Sequence, residues 1–215
     1  MRGQCLSGSS LKVIAMVTMV IDHTACYFVS DGWEYECMRG IGRIAFPIFA
    51  FLIAEGYRHT RRKWDYGRNL LIFAFISEIP WMLLHTDGSH NVLFTLLAGL
   101  CCIAILDKLE NHKILPLLVV LVIALATSVL NTDYGIQGVA LVLMFYLFKD
   151  KPLLQLLFAL PLFYDFYPLG ILASFGLISL YNGERGFIKG SFSKFLFYAF
   201  YPCHLIVIWA LLLVV

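Results

Sequence analysis

Apolar residues fill most of the chain in long runs, and short polar segments separate these runs. The length of the runs predicts helices that lie in a membrane. Nine runs occur, at 11–30, 39–56, 64–84, 91–106, 114–130, 134–148, 152–164, 167–181 and 194–215. The runs at 152–164 and 167–181 are shorter than the roughly 20 residues that cross a bilayer. They either span it obliquely, extended by their flanks, or form a re-entrant hairpin.

Composition agrees with this pattern. Hydrophobic residues make up 60% of the chain and charged residues 14%, whereas an ordinary soluble domain has roughly 25% charged residues. The sequence therefore predicts an all-α, polytopic integral membrane bundle of about nine transmembrane helices. No polar stretch is long enough for a second domain, so we expect a single domain over 1–215. The first run is expected to be a retained span, not a cleaved signal peptide.

The basic residues predict which way the bundle faces. The helices cross the membrane in alternating directions, so each connection can be assigned to one side. All but two of the 16 Lys and Arg residues then fall on the same side; the first of them is Arg2 and the last two are Lys189 and Lys194. Short loops rich in Lys and Arg stay in the cytoplasm, so the N-terminus is predicted to be cytoplasmic and the C-terminus external. The two exceptions, Arg39 and Arg43, enter the second helix from the outer side.

Ionisable residues inside these runs form the candidate site. Asp22 and His23 lie in the first run, where an unpaired charge costs roughly 2.5 to 3.5 kcal/mol, so a functional role is the default hypothesis. Arg39 and Arg43 are four residues apart and share one face of the second helix. The short connection makes the two helices antiparallel neighbours. We therefore expect all four side chains at one level, in the outer half of the membrane.

Glu78 on the third helix and His204 on the last helix extend the candidate site. Glu78 is expected in the outer half, within reach of the two arginines. A purely structural network, in which Asp22 and Glu78 neutralise the arginines, is the alternative, but it leaves His23 unexplained. For His204 the alternatives are a chemical role and a hydrogen-bonded core histidine that positions a substrate or a helix.

Polar residues at the outer helix ends are expected to line an outward-facing pocket. This group consists of Tyr134 and Asp165 together with Asn91, Asp133 and Gln137. Any of them would serve equally well as a helix cap or a solvent contact. The candidate substrate-binding residues are therefore Glu78, Asn91, Asp133, Gln137 and His204.

The densest positive charge lies in the loop between the second and third runs. Its cations are Arg58, Arg61, Arg62, Lys63 and Arg68. This cluster matches a polyphosphate, and Tyr57 or Trp64 beside it offers a surface for adenine, so coenzyme A is the functional interpretation. Anchoring on anionic lipid, at about 1 kcal/mol per basic residue, is the alternative. The sequence has neither a nucleotide-binding glycine motif nor metal-ligand spacing, so we expect no ATP hydrolysis, no nicotinamide cofactor and no metal site.

Four segments resemble the TraX family of membrane acetyltransferases, which is named for N-acetylation of a conjugative pilin. The segments are 11–23, 39–56, 76–80 and 91–95, and the resemblance extends over essentially the whole chain. It implies acetyl-CoA as the donor, an amine or hydroxyl as the acceptor, and a bacterial cytoplasmic membrane. Related transmembrane acyltransferases carry a basic residue eleven positions before a catalytic histidine, as Lys12 stands before His23. The relatives commonly have arginine there, and the resemblance implies a phosphate contact for Lys12.

These features together predict an enzyme that moves the acetyl group of cytosolic acetyl-CoA to an acceptor reached from outside, either a pilin or other peptide or an envelope glycan. His23 is the predicted general base, Asp22 orients its ring or stabilises its cation, and Arg43, supported by Arg39, stabilises the oxyanion. Direct transfer and an acetyl-His23 intermediate both remain open. A proton-coupled transporter or channel and a non-catalytic assembly subunit are the alternative classes. No nucleic-acid partner is expected.

Overall fold

The computed structural model describes residues 4–164, 167–188 and 190–214, with the backbone alone for 191–193. Within them the chain forms ten helices in a membrane bundle. They are α1 (Gly8–Phe28), α2 (Trp33–Gly42), α3 (Ala45–His59), α4 (Lys63–Leu84), α5 (Val92–Lys108), α6 (Leu115–Val129), α7 (Gly135–Leu147), α8 (Pro152–Leu162), α9 (Pro168–Ser179) and α10 (Ser191–Leu212). Arg2, Asp165 and Lys189 lie outside the described residues.

Each predicted run coincides with a helix, and the predicted fold class is confirmed. The second run differs, because it contains α2 and α3 with a break at Arg43 and Ile44. Pro47 explains the break: proline lacks an N–H, and its ring clashes with the carbonyl four residues earlier, which is that of Arg43. α2 also begins earlier than the apolar run, at Trp33, because its first turns are polar and lie beyond the apolar segment.

Helix length separates two groups of segments. Among the described residues, four segments are long and apolar enough to cross a membrane: Gly8–Phe28, Trp33–His59 across the break, Lys63–Leu84 and Lys194–Leu212. α8 and α9 have 11 and 12 residues, so each reaches only about 16 to 18 Å of the roughly 30 Å hydrocarbon core. The flanks do not lengthen these two helices.

Hydrogen bonds between connections show which ends of the helices lie together. Near the start of α1, the N–H of Gly8 donates to the carbonyl of Glu184 in the α9–α10 connection. The end of α3 is tied to the end of α5, where the Tyr57 hydroxyl donates to Asp107. We call this end of the bundle the basic side. At the opposite end, the far side, the N–H of His90 donates to the carbonyl of Asn131, which joins the α4–α5 and α6–α7 connections.

The core and the membrane-facing surface are both apolar, as a bilayer solvent requires. Phe145, Phe163 and Leu11 are among the largest fully buried side chains and belong to one cluster. α6 exposes large apolar residues such as Val122, and its composition is almost wholly aliphatic. Lipid rather than water is the natural environment of such a face.

Candidate active site

A cavity of about 150 Å³ lies in the far-side half of the bundle. One face of α1 forms its first wall, through Met19, Asp22, His23, Cys26 and Tyr27. This spacing of three and four residues puts all five side chains on one helical stripe. At about 30 Å³ per water, the cavity has room for roughly five waters or for an acetyl group and a small nucleophile. A nucleotide does not fit within it.

The predicted convergence of Asp22 and His23 with the two arginines is observed, because all four side chains line this cavity. Nη1 of Arg39 lies 2.8 Å from Oδ2 of Asp22. Nη2 of Arg43 lies 3.7 Å from Oδ1 of the same carboxylate. Arg43 is buried, with 8% of its surface exposed. One carboxylate therefore holds two guanidinium groups at the wall of the cavity.

Close contact between α1 and α2 makes this ion pairing geometrically feasible. Gly42 lies directly against the side chain of Asp22, and a Cβ atom at position 42 would overlap Oδ1 and Cβ of that aspartate. Glycine is thus required at this approach. The break that follows, at Arg43, turns the chain so that both arginines flank the same carboxylate.

Gly42→Ala is expected to push α1 and α2 apart and to lower the free energy of unfolding by about 1 to 3 kcal/mol, the usual cost of overpacking. The midpoint of thermal unfolding in detergent measures this. Gly176→Ala on α9 is the matched control, because a Cβ there meets nothing within 4 Å. A helical Gly→Ala change without a clash is neutral or stabilising by up to about 1 kcal/mol. Equal midpoints for the two variants would contradict the packing argument.

Tyr134, which the sequence placed among the polar residues of the outer helix ends but not among the candidate substrate-binding residues, is a member of the site. Its hydroxyl accepts a hydrogen bond from Nη1 of Arg43 at 2.9 Å, and its ring stacks on Phe46 with 3.8 Å between centroids. The backbone of Tyr134 is left-handed, with φ of 62°, which costs a non-glycine residue about 1 to 3 kcal/mol. No sequence pattern signals that conformation. The left-handed backbone lets the α6–α7 connection place the hydroxyl of Tyr134 next to Arg43.

Asp133, predicted to line an outward pocket, also lines the cavity. Its backbone carbonyl accepts a hydrogen bond from the hydroxyl of Thr95. Burial of this loop residue raises the pKa of Asp133 to about 6, although Arg43 acts in the opposite direction. The carboxyl is therefore mostly ionised at neutral pH.

His23 and His204 are in direct contact although 181 positions separate them. Nδ1 of His23 lies 2.7 Å from Nε2 of His204, and Nδ1 of His204 lies 3.1 Å from the carbonyl oxygen of Phe200. A carbonyl only accepts, so Nδ1 of His204 carries a proton. In a neutral pair Nε2 of His204 then accepts, and Nδ1 of His23 donates to it. Nε2 of His23 is left without a proton, as a base or a nucleophile needs.

This pairing corrects two predictions. Asp22 was expected to orient the imidazole of His23, but its carboxylate pairs with Arg39 and Arg43, and the ring partner of His23 is His204. His204 was assigned to substrate binding, but it is not among the cavity-lining residues. Adjacent residues on a helix point about 100° apart, so Asp22 and His23 reach different partners.

A tyrosine and a histidine, Tyr27 and His85, form a further pair that lines the cavity. The hydroxyl of Tyr27 lies 3.0 Å from Nε2 of His85. The imidazole of His85 stacks on Trp81, with 3.7 Å between ring centroids. Burial lowers the pKa of His85, which favours the neutral ring. Nothing in the sequence indicated that His85 belongs to the site, because no spacing rule links it to position 27.

Glu78 and Asn91 form a separate network. Oε1 of Glu78 lies 2.5 Å from Nδ1 of His90, and Oε2 accepts from Nδ2 of Asn91 at 2.6 Å. The side chain of Asn91 also caps α5. Glu78 was expected within reach of the arginines, and the structural alternative had it neutralise them; instead its partners are His90 and Asn91, and Asp22 alone pairs with Arg39 and Arg43 among the described residues. Neither Glu78 nor Asn91 nor Gln137 is among the residues that line the cavity.

Oδ1 of Asp22 is a buried polar atom at the cavity that has no hydrogen-bond partner within the described part of the chain, although Nη2 of Arg43 lies 3.7 Å from it. Buried polar groups in folded proteins are nearly always hydrogen-bonded to protein, water or ligand. The cavity is therefore suited to a polar occupant.

Arg58, on the basic side, does not face solvent as a phosphate ligand would. Its guanidinium pairs with Glu55 at 3.2 Å and donates to the backbone carbonyls of Phe145 and Tyr146 at 2.9 and 2.5 Å. These contacts tie α3 to α7. Because these contacts already use most of the N–H donors of the guanidinium, few are left for a phosphate group.

The other cations of the α3–α4 connection differ in how far they are paired. Lys63 lies 2.7 Å from Asp107, while Arg62 and Arg68 flank Asp65 at 3.7 and 3.2 Å. These pairs are exposed, and such ion pairs are worth about 0 to 1 kcal/mol, so an incoming phosphate competes with them readily. Arg61 is exposed and forms no ion pair in the part of the chain that the structure describes.

Lys12 belongs to a second group of cations, which the sequence did not predict to lie together. Arg185 and Lys194 lie within electrostatic reach of its ammonium, and Nζ of Lys12 lies 5.7 Å from the centroid of the Phe197 ring. Lys12 is eleven residues before His23 on the same helix, which places it about 16 Å nearer the basic side.

Comparison with known proteins identifies the family. A family model described as TraX protein matches residues 7–212. The chain belongs to the TraX family. It is 32% identical, over 93% of each chain, to the probable fimbrial assembly protein FimC, serogroup H1, of Dichelobacter nodosus. It is 30% identical to the uncharacterized protein RP591 of Rickettsia prowazekii strain Madrid E, over 43% of this chain and 35% of that one. No solved structure matches it.

The match to the TraX model covers the whole site. Its range includes the ion-paired Asp22, Arg39 and Arg43 as well as the two histidines, His23 and His204. This TraX-family chain is thus a helical membrane protein with a small cavity that charged and polar side chains face, and its relative in Dichelobacter nodosus is named for fimbrial assembly.

Proposed function

We propose that this TraX-family chain is a membrane acetyltransferase that uses acetyl-CoA and acetylates an amine or hydroxyl. One observation carries the proposal. An imidazole with an unprotonated Nε2, on His23, lines the same small cavity as the buried guanidinium of Arg43. A base for the nucleophile and a cation for the oxyanion are the two groups that acyl transfer needs.

The reaction balances with these groups. Nε2 of His23 takes the proton of the acceptor N–H or O–H as the acceptor atom forms a bond to the acetyl carbonyl carbon. The carbonyl oxygen becomes an oxyanion beside Arg43. The carbon–sulfur bond then breaks, the coenzyme A sulfur receives the proton from His23, and the products are the acetylated acceptor and coenzyme A. Attack by Nε2 itself would give an acetyl-His23 intermediate with the same net balance.

His204 acts through His23 in this scheme. It fixes the His23 tautomer by accepting from Nδ1, and its own Nδ1 is held by the carbonyl of Phe200. When His23 gains a proton, the charge is shared across this hydrogen bond. The role corresponds to that of the orienting group in a catalytic triad. Asp22 instead holds Arg39 and Arg43 in place.

The donor is proposed to bind from the basic side, which the positive-inside rule assigns to the cytoplasm. Lys12, with Arg185 and Lys194, is the leading phosphate contact, and the α3–α4 connection with Arg61 supplies further charge. The acetyl group then crosses toward the far side while the nucleotide stays behind, because the cavity is too small to admit it.

Lys12→Ala is expected to raise KM for acetyl-CoA about tenfold or more with little change in kcat. A charge-assisted hydrogen bond is worth about 1.5 to 3 kcal/mol, and it acts here on binding alone. Arg61→Ala combined with Arg62→Ala should act in the same direction with a smaller effect. Lys113→Ala, an exposed cation in another connection, is the control. An unchanged KM in the Lys12 variant would remove this residue from the donor site.

The acceptor is proposed to be an envelope component reached from the far side, in a bacterial cytoplasmic membrane. The relative named for fimbrial assembly favours a fimbrial subunit or pilin peptide, and an envelope glycan offers the same nucleophiles. That name also favours a second candidate function, a non-catalytic subunit that assists fimbrial assembly.

Mass spectrometry of fimbrial and envelope components, from cells with and without the gene, separates the two functions. We expect one component to carry an additional acetyl group only when the gene is present, and to lose it when the gene encodes His23→Ala. Fimbriae that fail to assemble without the gene, while every acetyl group stays in place, would favour the assembly subunit.

A further inference from the structure

Glu78 is an ionisable residue of a membrane-spanning helix to which the active site assigns no role. Its side chain, on α4, is only 13% exposed and does not line the cavity. A carboxylate at this depth is expensive, and it marks a function by default. Oε1 of Glu78 lies 2.5 Å from Nδ1 of His90, and Oε2 accepts from the backbone N–H and from Nδ2 of Asn91, at 3.3 and 2.6 Å. This carboxylate therefore holds two consecutive residues of the α4–α5 connection.

His90 links this connection to the one that carries Tyr134. The N–H of His90 donates to the carbonyl of Asn131 at 3.0 Å, and the carbonyl of His90 accepts from the N–H of Asp133 at 2.8 Å. Both backbone hydrogen-bonding groups of His90 therefore engage the α6–α7 connection, while its imidazole engages Glu78. Through this one residue, a side chain of α4 is tied to the segment immediately before Tyr134.

The α6–α7 connection needs this support because its backbone is strained. Asn131 and Tyr134 have left-handed backbones, with φ of 50° and 62°, and they enclose the segment that pairs with His90. Such conformations persist in non-glycine residues only where the neighbouring structure holds them. The hydroxyl of Thr95 adds one further contact from α5, to the carbonyl of Asp133. Release of His90 is therefore expected to let this backbone relax.

Tyr134 carries the effect to the cavity. Its hydroxyl accepts from Nη1 of Arg43 at 2.9 Å, whereas the carboxylate of Asp22 lies 3.7 Å from Nη2 of the same guanidinium. The hydrogen bond with Tyr134 is thus the closer of these two contacts. A misplacement of about 1 Å at a reacting centre costs up to about 10² in rate. A change at Glu78 is therefore expected to reach the oxyanion site, although this residue lies outside the cavity.

We propose that Glu78 is a positioning residue for acetyl transfer. Through His90 it holds the strained α6–α7 connection, so that Tyr134 keeps the guanidinium of Arg43 where the oxyanion forms. A carboxylate suits this task because its two oxygens accept from Nδ1 of His90 and from both N–H groups of Asn91. The placement of Arg43 follows from these contacts, and the effect on rate rests on the proposed acetyltransferase function. The alternative is a local role, in which Glu78 only pairs the buried side chain of Asn91.

His90→Ala tests the link without removing the partner of Asn91. We expect kcat per folded protein, measured as thiol release from acetyl-CoA in inverted vesicles, to fall about tenfold or more. KM for acetyl-CoA should stay unchanged, because the donor binds on the basic side. Glu78→Ala should lose at least as much. Glu78→Gln should retain most of the rate, because its amide oxygen accepts from Asn91 and its amide N–H donates to a neutral His90. Glu34→Ala, which removes an exposed carboxylate on α2, is the control.

A double-mutant cycle with Tyr134→Phe decides between the two roles. Tyr134→Phe removes the hydroxyl that accepts from Arg43, and we expect kcat to fall about tenfold or more. If Glu78 acts through Tyr134, adding His90→Ala to Tyr134→Phe should cost no more than about another twofold. Losses that multiply, or undiminished kcat in His90→Ala and Glu78→Ala, would overturn the positioning role and leave the acetyltransferase function standing. Unaltered protein that releases no thiol with its native acceptors present would overturn that function, and this role with it.

Discussion

Replacing His23 with alanine is expected to lower the rate of thiol release from acetyl-CoA by a factor of about 10² to 10⁴, the usual contribution of a general base. The methyl group that remains has no lone pair to take the acceptor's proton. Inverted membrane vesicles, which expose the cytoplasmic face, provide both the donor side and the native acceptors. The rate is measured with a thiol reagent at saturating acetyl-CoA.

Two further variants show that the loss belongs to the chemistry and not to the fold. His112→Ala changes an exposed loop histidine and should leave the rate unchanged. His204→Ala should cause an intermediate loss, because His23 keeps its imidazole but loses the acceptor that fixes its tautomer. The His23 variant should also keep its thermal midpoint and its KM for acetyl-CoA. Full activity without the imidazole would contradict the mechanism.

Arg43→Lys is expected to lower kcat by a factor of about 10² to 10³, the loss that removal of an oxyanion-hole donor causes in a serine hydrolase. The guanidinium reaches the Tyr134 hydroxyl with one nitrogen and Asp22 with another. A lysine ammonium is a compact point charge without this planar fork, so it cannot keep both contacts while facing the cavity.

Arg39→Lys is the matched control for this prediction. Within the site, Arg39 pairs with Asp22 through a contact of 2.8 Å between Nη1 and Oδ2, and its side chain is more exposed than that of Arg43. An ammonium is able to keep one such contact. We therefore expect most of the activity to remain, with kcat measured in the same vesicles. Equal losses in the two lysine variants would show that Arg43 has no special role at the oxyanion.

The convergence on Asp22 was predictable because it depends on local rules. A four-residue spacing puts Arg39 and Arg43 on one face, and a short connection makes α1 and α2 antiparallel neighbours. The break at Arg43 was not predicted, and Pro47 explains it. Apolar run length located the helices of the described residues, but it merged α2 and α3 into one run and missed the polar first turns of α2.

The remaining contacts of the site could not be predicted from the sequence, because they join residues that are far apart along the chain. Nothing in the spacing of residues links His23 to His204, or Tyr27 to His85. Tyr134 reaches Arg43 through a left-handed backbone that no residue type at that position announces. For Glu78, membrane depth alone suggested the arginines, yet His90 and Asn91 are closer partners in the adjoining connection. The depth of a residue in the bilayer determines its level in the bundle, but it does not determine which neighbouring side chain the residue faces.

The central claim is that His23 joins a donor from the basic side to an acceptor from the far side. The side of the membrane on which the acetylated product appears tests this claim most directly. Inverted vesicles receive acetyl-CoA labelled in the acetyl group, and in a parallel sample labelled in the adenine. The account predicts that acetyl label becomes attached to a component protected inside the vesicles, that adenine label stays outside, and that His23→Ala abolishes the transfer. Acetylated product on the exposed face, or undiminished labelling by the His23 variant, would contradict it.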